Sequence, residues 1–309
     1  MNKIPIIVIG GPTASGKTAL SIELAKFYDT EIISCDSMQI YKHMNIGTAK
    51  PDLIERDGVV HHMLDVIEPD ESFSVAEFVK EAHEITDEIS KKGKVPIAVG
   101  GTGLYINSLI NDVDFLEDDG DIRIRKELEE IEKEKGIDYL VDMLKSFDVV
   151  SAQRIHKNNK RRIIRAIEFY KMTGVPISSH QEETKKKISR YNPCMMAIRW
   201  DMQKLYERIE KRVDIMIEQG LVEEVRALCD KGYTNAMLSM QGIGYKEIIE
   251  YINGNVSLDE AIYNIKIGTR HYAKRQMTWF RKDERMNWIN YDEDIVGKAK
   301  EIIKDWGGV

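Results

Sequence analysis

The 309-residue sequence predicts an α/β fold: a parallel sheet flanked by helices, interrupted by a mostly helical insertion domain. Three observations carry that prediction. Short apolar, β-rich runs alternate with stretches of helical periodicity, the signature of strands that run parallel with helices on both faces. The first run ends in a glycine loop that opens a helix. After Asn111 the composition changes: residues 112–142 hold 13 Asp and Glu against 5 Lys and Arg, with no strand signal.

The elements follow in order. Residues 4–9 are an apolar strand ending at Gly10-Gly11-Pro12, and residues 17–28 place Leu20, Leu24 and Phe27 at helical spacing. Residues 31–35 read as a second strand, 75–92 as a helix, and 95–99 as a third strand ending at Gly100-Gly101. Within the insertion the charge inverts: residues 153–190 carry 11 Lys and Arg against 3 Asp and Glu, with a helix expected over 161–172. A strand-like run returns at 194–200, and helices are expected over 203–218, 222–229 and 258–279. The expected division is a first part of the core at 1–112, a helical insertion at 113–193, and a second, mostly helical part of the core at 194–309.

Composition bounds the function. A chain of this length buries enough surface to fold without disulfides or structural metals. Its three widely spaced cysteines, Cys35, Cys194 and Cys229, form neither a disulfide framework nor a paired zinc site, which points to a reducing, cytoplasmic setting. The first apolar run is far shorter than the ~20 residues of a membrane span. The formal charge of −7 argues, averaged over the chain, against a nucleic-acid partner. That average hides basic stretches at 153–190 and at 266–285, where 7 Lys and Arg face 2 Asp and Glu. Binding to RNA depends on the local field, screened beyond about 10 Å at 0.1 M salt.

The loop Gly11-Pro12-Thr13-Ala14-Ser15-Gly16-Lys17-Thr18 fits G-x-x-x-x-G-K-[ST] between a strand and a helix, the context that motif requires, and makes the sheet P-loop NTPase-like. Its amides form an anion cradle, Lys17 adds a charge, and the Thr18 hydroxyl can hold Mg²⁺ through the bound phosphates. A nucleoside triphosphate such as ATP and any other pyrophosphate fit this cradle equally well. Strand 95–99 ends without the carboxylate that ATPases and GTPases use to manage Mg²⁺. The acid stands instead at Asp36, directly after the second strand, on the same edge as the phosphate loop. It could serve as a general base toward an acceptor or as a turn residue.

Taken together, these residues resemble the tRNA dimethylallyltransferase (tRNA isopentenyltransferase) family. The resemblance extends through Asp36-Ser37-Met38-Gln39-Ile40-Tyr41, the block 45–51, His61-His62 with Leu64-Asp65, and Gly100-Gly101-Thr102-Gly103. It continues through Arg161-Arg162-Ile163-Ile164-Arg165, Gly242-Ile243-Gly244-Tyr245, and the block 273–281. The resemblance implies transfer of a dimethylallyl group from dimethylallyl diphosphate to N6 of the adenosine 3′ of the anticodon. It implies Asp36 as base, residues 11–18 and Arg212 on the diphosphate with Mg²⁺, and catalytic parts for Lys17 and Thr18. It further implies tRNA contacts at Asp36, Ser37, Met38, Gln39, Thr102, Arg123, Arg161, Arg162, Ile163, Ile164 and Arg165. The partners implied are the tRNA anticodon stem-loop and the prenyl diphosphate; nothing demands more than a monomer. Two departures, His156-Lys157-Asn158-Asn159 for His-Pro-Asn-Asp and His271 for the common glutamine, lie outside the catalytic set. The zinc-finger extension of eukaryotic relatives is not found before Val309, so a bacterial-type enzyme is expected.

Three features stay open or bland. His61 and His62 fit packing or a local hydrogen bond better than a metal. Trp279 and Phe280, between Lys274, Arg275, Arg281 and Lys282, fit a base-stacking surface and a helix core equally well. The acidic stretch 112–142 reads as solvated surface. A small-molecule kinase would share the phosphate loop and turn over ATP; a nucleotide-gated RNA-binding protein would share the loop and the basic insertion without forming product.

Overall fold

A computed structural model describes residues 3–113 and 122–309. The chain forms two compact units, one from Met1–Ile110 with Arg190–Val309 and one from Asn111–Ser189. The second boundary differs from the expected 193/194 for a local reason. The returning strand begins at Tyr191, and Asn192-Pro193, which reads as a break, lies inside it. Proline is tolerated there because the outer strand of the sheet pairs only from Met196 onward, so the Pro193 half of the strand has one paired side.

The first unit holds, in chain order, β1 (Ile4–Gly10), α1 (Lys17–Phe27), β2 (Ile32–Ser34), α2 (Leu53–Arg56), β3 (His61–His62), α3 (Val75–Lys91), β4 (Ile97–Gly100) and α4 (Gly103–Ile110). The second holds five helices among its described residues: α5 (Ile122–Lys135), α6 (Ile137–Lys145), α7 (Val149–Arg154), α8 (Lys160–Thr173) and α9 (Ile177–Lys186). Residues 114–121 of the acidic stretch lie outside the described residues. The first unit then resumes with β5 (Tyr191–Arg199), α10 (Met202–Glu218), α11 (Leu221–Asp230), α12 (Tyr245–Ile252), α13 (Leu258–Phe280), β6 (Asn287–Asn290) and α14 (Ile295–Trp306).

The six strands form one all-parallel sheet in the order β3-β2-β4-β1-β5-β6. Ile6, Ile7, Val8 and Ile9 of β1 are fully buried, as a strand covered on both faces requires. One face packs Ile7, Ile9, Ile32, Ile97 and Met196 against Leu20 and Leu24 of α1 and Ile303 of α14. A separate core joins Ile40, Tyr41 and Met44, in the segment after β2, to Leu221, Tyr245, Ile248 and Ile265. That second core ties the C-terminal helices to the chain following β2. The sheet order sets β1, β4 and β2 side by side, so Gly10, Gly100 and Ser34 end on one edge and the loops beyond them share a crevice.

The insertion has its own core: Leu128 of α5, Leu140 and Leu144 of α6, and Ile163, Ile164, Ala166 and Ile167 of α8. Among the described residues no helix is long and apolar enough to cross a membrane.

Candidate active site

The phosphate loop lies between β1 and α1. Gly16 caps α1 at φ 93°, a left-handed conformation that glycine adopts without strain, and Ala14 takes φ 61° beside it. The loop is pinned from outside by its carbonyls: the Trp200 indole donates to Ser15 O at 2.9 Å, and Arg208 Nε to Ala14 O at 3.0 Å. Arg208 stacks over the Trp200 ring in the same stroke. With carbonyls held outward, the loop is shaped as an anion cradle. Ser15 is buried, and its Oγ has no hydrogen-bond partner among the described residues.

A cavity of about 410 Å³ opens beside this loop and is lined by Thr13, Lys17, Thr18, Asp36 and Arg212. Lys17 donates to Pro12 O at 3.2 Å. Burial pushes its ammonium down to about 8; Asp36 opposes that shift and Arg212 adds to it. The Arg212 guanidinium, carried by α10, is likewise lowered by burial, against the attraction of Glu55 and Asp36. Neither cation forms an ion pair among the described residues. Two half-buried cations without an ion pair, lining one cavity, are suited to a polyanionic ligand.

Asp36 is both of the things its position allowed. Its Oδ1 accepts from Met38 N at 2.9 Å, closing a turn, while the other carboxylate oxygen has no hydrogen-bond partner among the described residues. The turn aims the acid and leaves half of it available. The arm carrying Asp36 is fixed further by Thr102: Ser37 N donates to Thr102 Oγ1 at 3.1 Å, and that hydroxyl donates to Ser37 Oγ at 3.3 Å. Gln39 accepts from Ser34 Oγ at 3.0 Å and donates to Thr48 O and Ala49 O, so its amide holds the next loop in place. Met38 lines the same cavity.

The block 45–51 owes its residue types to this packing. Lys50 is buried and donates to Tyr41 O at 2.7 Å, Asn45 Oδ1 at 3.1 Å and Asp65 Oδ1 at 2.6 Å. Glu224 of α11 accepts from Asn45 N, Ile46 N and Gly47 N, and from the Tyr245 hydroxyl. These are interior fastenings of the cavity wall. His62 Nε2 meets Glu31 Oε2 at 2.7 Å, and His61 Nδ1 donates to Val59 O at 2.9 Å. Phe280 is core, whereas Trp279 remains 39% exposed. Sequence reasoning passed over Glu224 and Tyr272 and gave Gln276, within the block 273–281, no role; the last two sit four residues apart on α13 and line the cavity.

In the insertion, the residues expected to meet tRNA divide. Arg123, Arg161 and Arg162 are exposed. Ile163 and Ile164 are buried in the insertion core, so their side chains cannot reach a ligand, which corrects the expectation for these two. Arg165 donates to Glu168 Oε2 at 3.0 Å, and Arg125 donates to the same oxygen at 3.1 Å. Glu168 is fully buried. Arg161 and Arg162 make no ion pair among the described residues. They occupy the first turn of α8, where the helix dipole is already positive. That placement costs helix stability and favours an anion.

An all-parallel sheet with a phosphate loop, an anion-seeking cavity and a half-free carboxylate defines a P-loop group transferase. Comparison with known proteins narrows the class. Residues 39–283 match the family model "IPP transferase", and residues 4–67 the model "Isopentenyl transferase". A tRNA dimethylallyltransferase of Acetivibrio thermocellus is 56% identical over 300 residues, covering 97% of this chain and 95% of its own. The solved tRNA isopentenylpyrophosphate transferase of Bacillus halodurans is 42% identical, with TM-score 0.74, over 99% of this chain and 96% of that one. A eukaryotic dimethylallyltransferase acting on tRNA is 28% identical, with TM-score 0.86, over 98% of this chain and 79% of that one. The chain belongs to the IPP transferase family.

Proposed function

We propose that this enzyme transfers the dimethylallyl group of dimethylallyl diphosphate to N6 of the adenosine 3′ of the anticodon, releasing diphosphate. The observation that carries this reading is the cavity itself, where Lys17 and Arg212, both unneutralised, face the half-free carboxylate of Asp36. The donor's diphosphate sits in the cradle of residues 11–18, where its charge meets Lys17 and Arg212. As the allylic C–O bond breaks, its electron pair passes to the diphosphate, and Lys17, Arg212 and the loop amides stabilise the growing negative charge. The N6 lone pair forms the new C–N bond, and Asp36 takes the N6 proton. The base must leave the anticodon-loop stack to reach the carboxylate. The adjoining arm, Ser37 to Gln39 with Thr102, lies on that acceptor side of the cavity.

Mg²⁺ fits the donor set when carried by the substrate. Among the described residues no group of three or more His, Cys, Asp or Glu could hold a metal, but the Thr18 hydroxyl and the unpartnered Ser15 Oγ lie at the cradle. The Thr18 hydroxyl would help hold Mg²⁺ brought in with the diphosphate, and the ion would supply further charge stabilisation to the leaving group. The reading places the enzyme in the cytoplasm with its tRNA substrate, acting as a monomer.

The test is a pair of labelling assays. Radiolabelled dimethylallyl diphosphate should label unmodified tRNA in the presence of Mg²⁺, with the label recovered on N6 of one adenosine. Transfer of the γ-phosphate of ATP to a small acceptor, with tRNA left unlabelled, overturns the proposal in favour of a kinase.

A further inference from the structure

The phosphate loop and the arm bearing Asp36 come from different strands, yet the transfer proposed above needs them in fixed register. One turn of α13 touches both. Gln276 is 5% exposed; its Oε1 accepts from Thr13 N at 2.9 Å, and its Nε2 donates to Gly101 O at 2.9 Å. A Cβ on Gly101 would collide with that Nε2, so glycine there leaves the amide its place. One turn earlier on α13, Tyr272 stands close to the side chains of Thr102 and Gln276. Thr102 in turn holds Ser37, next to Asp36. Both hydrogen-bonding ends of a buried amide are thus used, one on the donor loop and one on the loop after β4.

We propose that Gln276 is a positioning residue that latches the phosphate loop to the Gly101-Thr102 turn and so sets the donor cradle against the Asp36 arm. The inference rests on the proposed transferase reading. It goes beyond it in assigning to a side chain outside both the loop of residues 11–18 and the Asp36 arm the spacing between them.

The latch needs one acceptor and one donor in the same planar group, which gives it a signature of its own. In Gln276→Glu the protonated carboxyl can accept from Thr13 N and donate to Gly101 O, as the amide does. The ionised form sets an oxygen against the Gly101 carbonyl and cannot donate. Burial raises the pKa of such a carboxyl. The titratable and charged groups lining the same cavity are Lys17, Asp36, His61, Arg212, Tyr245, Lys246, Tyr272 and Arg275. They are common to both proteins and largely cancel in a ratio. The ratio of kcat for Q276E to kcat for the wild type should therefore fall at least tenfold between about pH 6 and about pH 9. Q276M, of similar length with neither group, should lose at least tenfold in kcat throughout that range, with the KM for tRNA within twofold of wild type.

A flat Q276E ratio, or Q276M kcat within twofold of wild type with only a lowered melting temperature, overturns the latch and leaves a packing role. A wild-type enzyme that transfers no prenyl group refutes the transferase reading instead. Inorganic diphosphate binding then decides the latch by itself. Affinity should drop at least fivefold in Q276M, and an unchanged affinity overturns the proposal.

Discussion

The core and the insertion treat charge in opposite ways. In the core cavity, Lys17 and Arg212 are half-buried and make no ion pair among the described residues, and burial lowers the pKa of both, that of Lys17 to about 8. In the insertion several of the basic residues are satisfied from within. Lys171 of α8 meets Glu127 of α5 at 2.8 Å, Lys160 pairs with Glu132, and Arg165 shares Glu168 with Arg125. A half-buried, unpaired cation marks where a small polyanion belongs. A solvated arginine pair such as Arg161 and Arg162 marks where a large, hydrated polyanion can dock without every charge being buried.

Three substitutions sharpen that contrast, from the largest expected effect to the smallest. Lys17→Met should lower kcat/KM for the donor by roughly 10²–10³, measured by transfer kinetics, yet stabilise the empty enzyme by about 2 kcal/mol at neutral pH, measured by denaturant unfolding. The sign follows from the depressed lysine. Between pH about 8 and 10.5 the unfolded chain keeps the proton that the native state has released, so wild-type stability rises with pH across that window. The rise should disappear in Lys17→Met. If stability drops instead, Lys17 is an ordinary structural residue.

Replacing Arg161 and Arg162 together by alanine should weaken tRNA binding about tenfold at moderate salt. It should also reduce the slope of log affinity against log salt by about 1.4 to 1.8, with kcat at saturating tRNA unchanged. Filter binding over a salt series reads both. An unchanged slope removes these arginines from the RNA surface.

Glu168→Gln gives the smallest effect and the most informative sign. Deleting the negative charge that Arg165 and Arg125 share should tighten RNA binding if only the field mattered. If Glu168 instead holds Arg165 and Arg125 in their binding orientation, tRNA affinity should fall about threefold, with the melting temperature showing that the helices remain folded.

What the sequence disclosed depended on how far apart the cooperating residues lie. The phosphate loop was legible because eight consecutive residues make the whole device. Asp36 was legible because a parallel sheet collects its strand ends on one edge. Gln276 was not, because its partner Thr13 lies 263 residues away and no local pattern reports such a pairing. The basic sum over 153–190 was read as an exposed RNA face, but it left out the acids of α5 that lie against α8. That pairing leaves Arg161 and Arg162 as the members of the expected arginine trio without an internal partner among the described residues. β3 escaped notice because two residues carry no periodicity, and the start of β5 because Pro193 reads as a terminator until its unpaired side is seen.

The separation of chemistry from recognition is tested most directly by one variant assayed twice. For Asp36→Ala, the single-turnover rate of prenyl transfer and the Kd for tRNA should be measured on the same preparation. The rate should fall by roughly 10²–10⁴ while the Kd stays within about threefold of wild type. A variant that loses tRNA affinity in proportion to its rate, or that keeps a rate within tenfold of wild type, contradicts the role of Asp36 as the base.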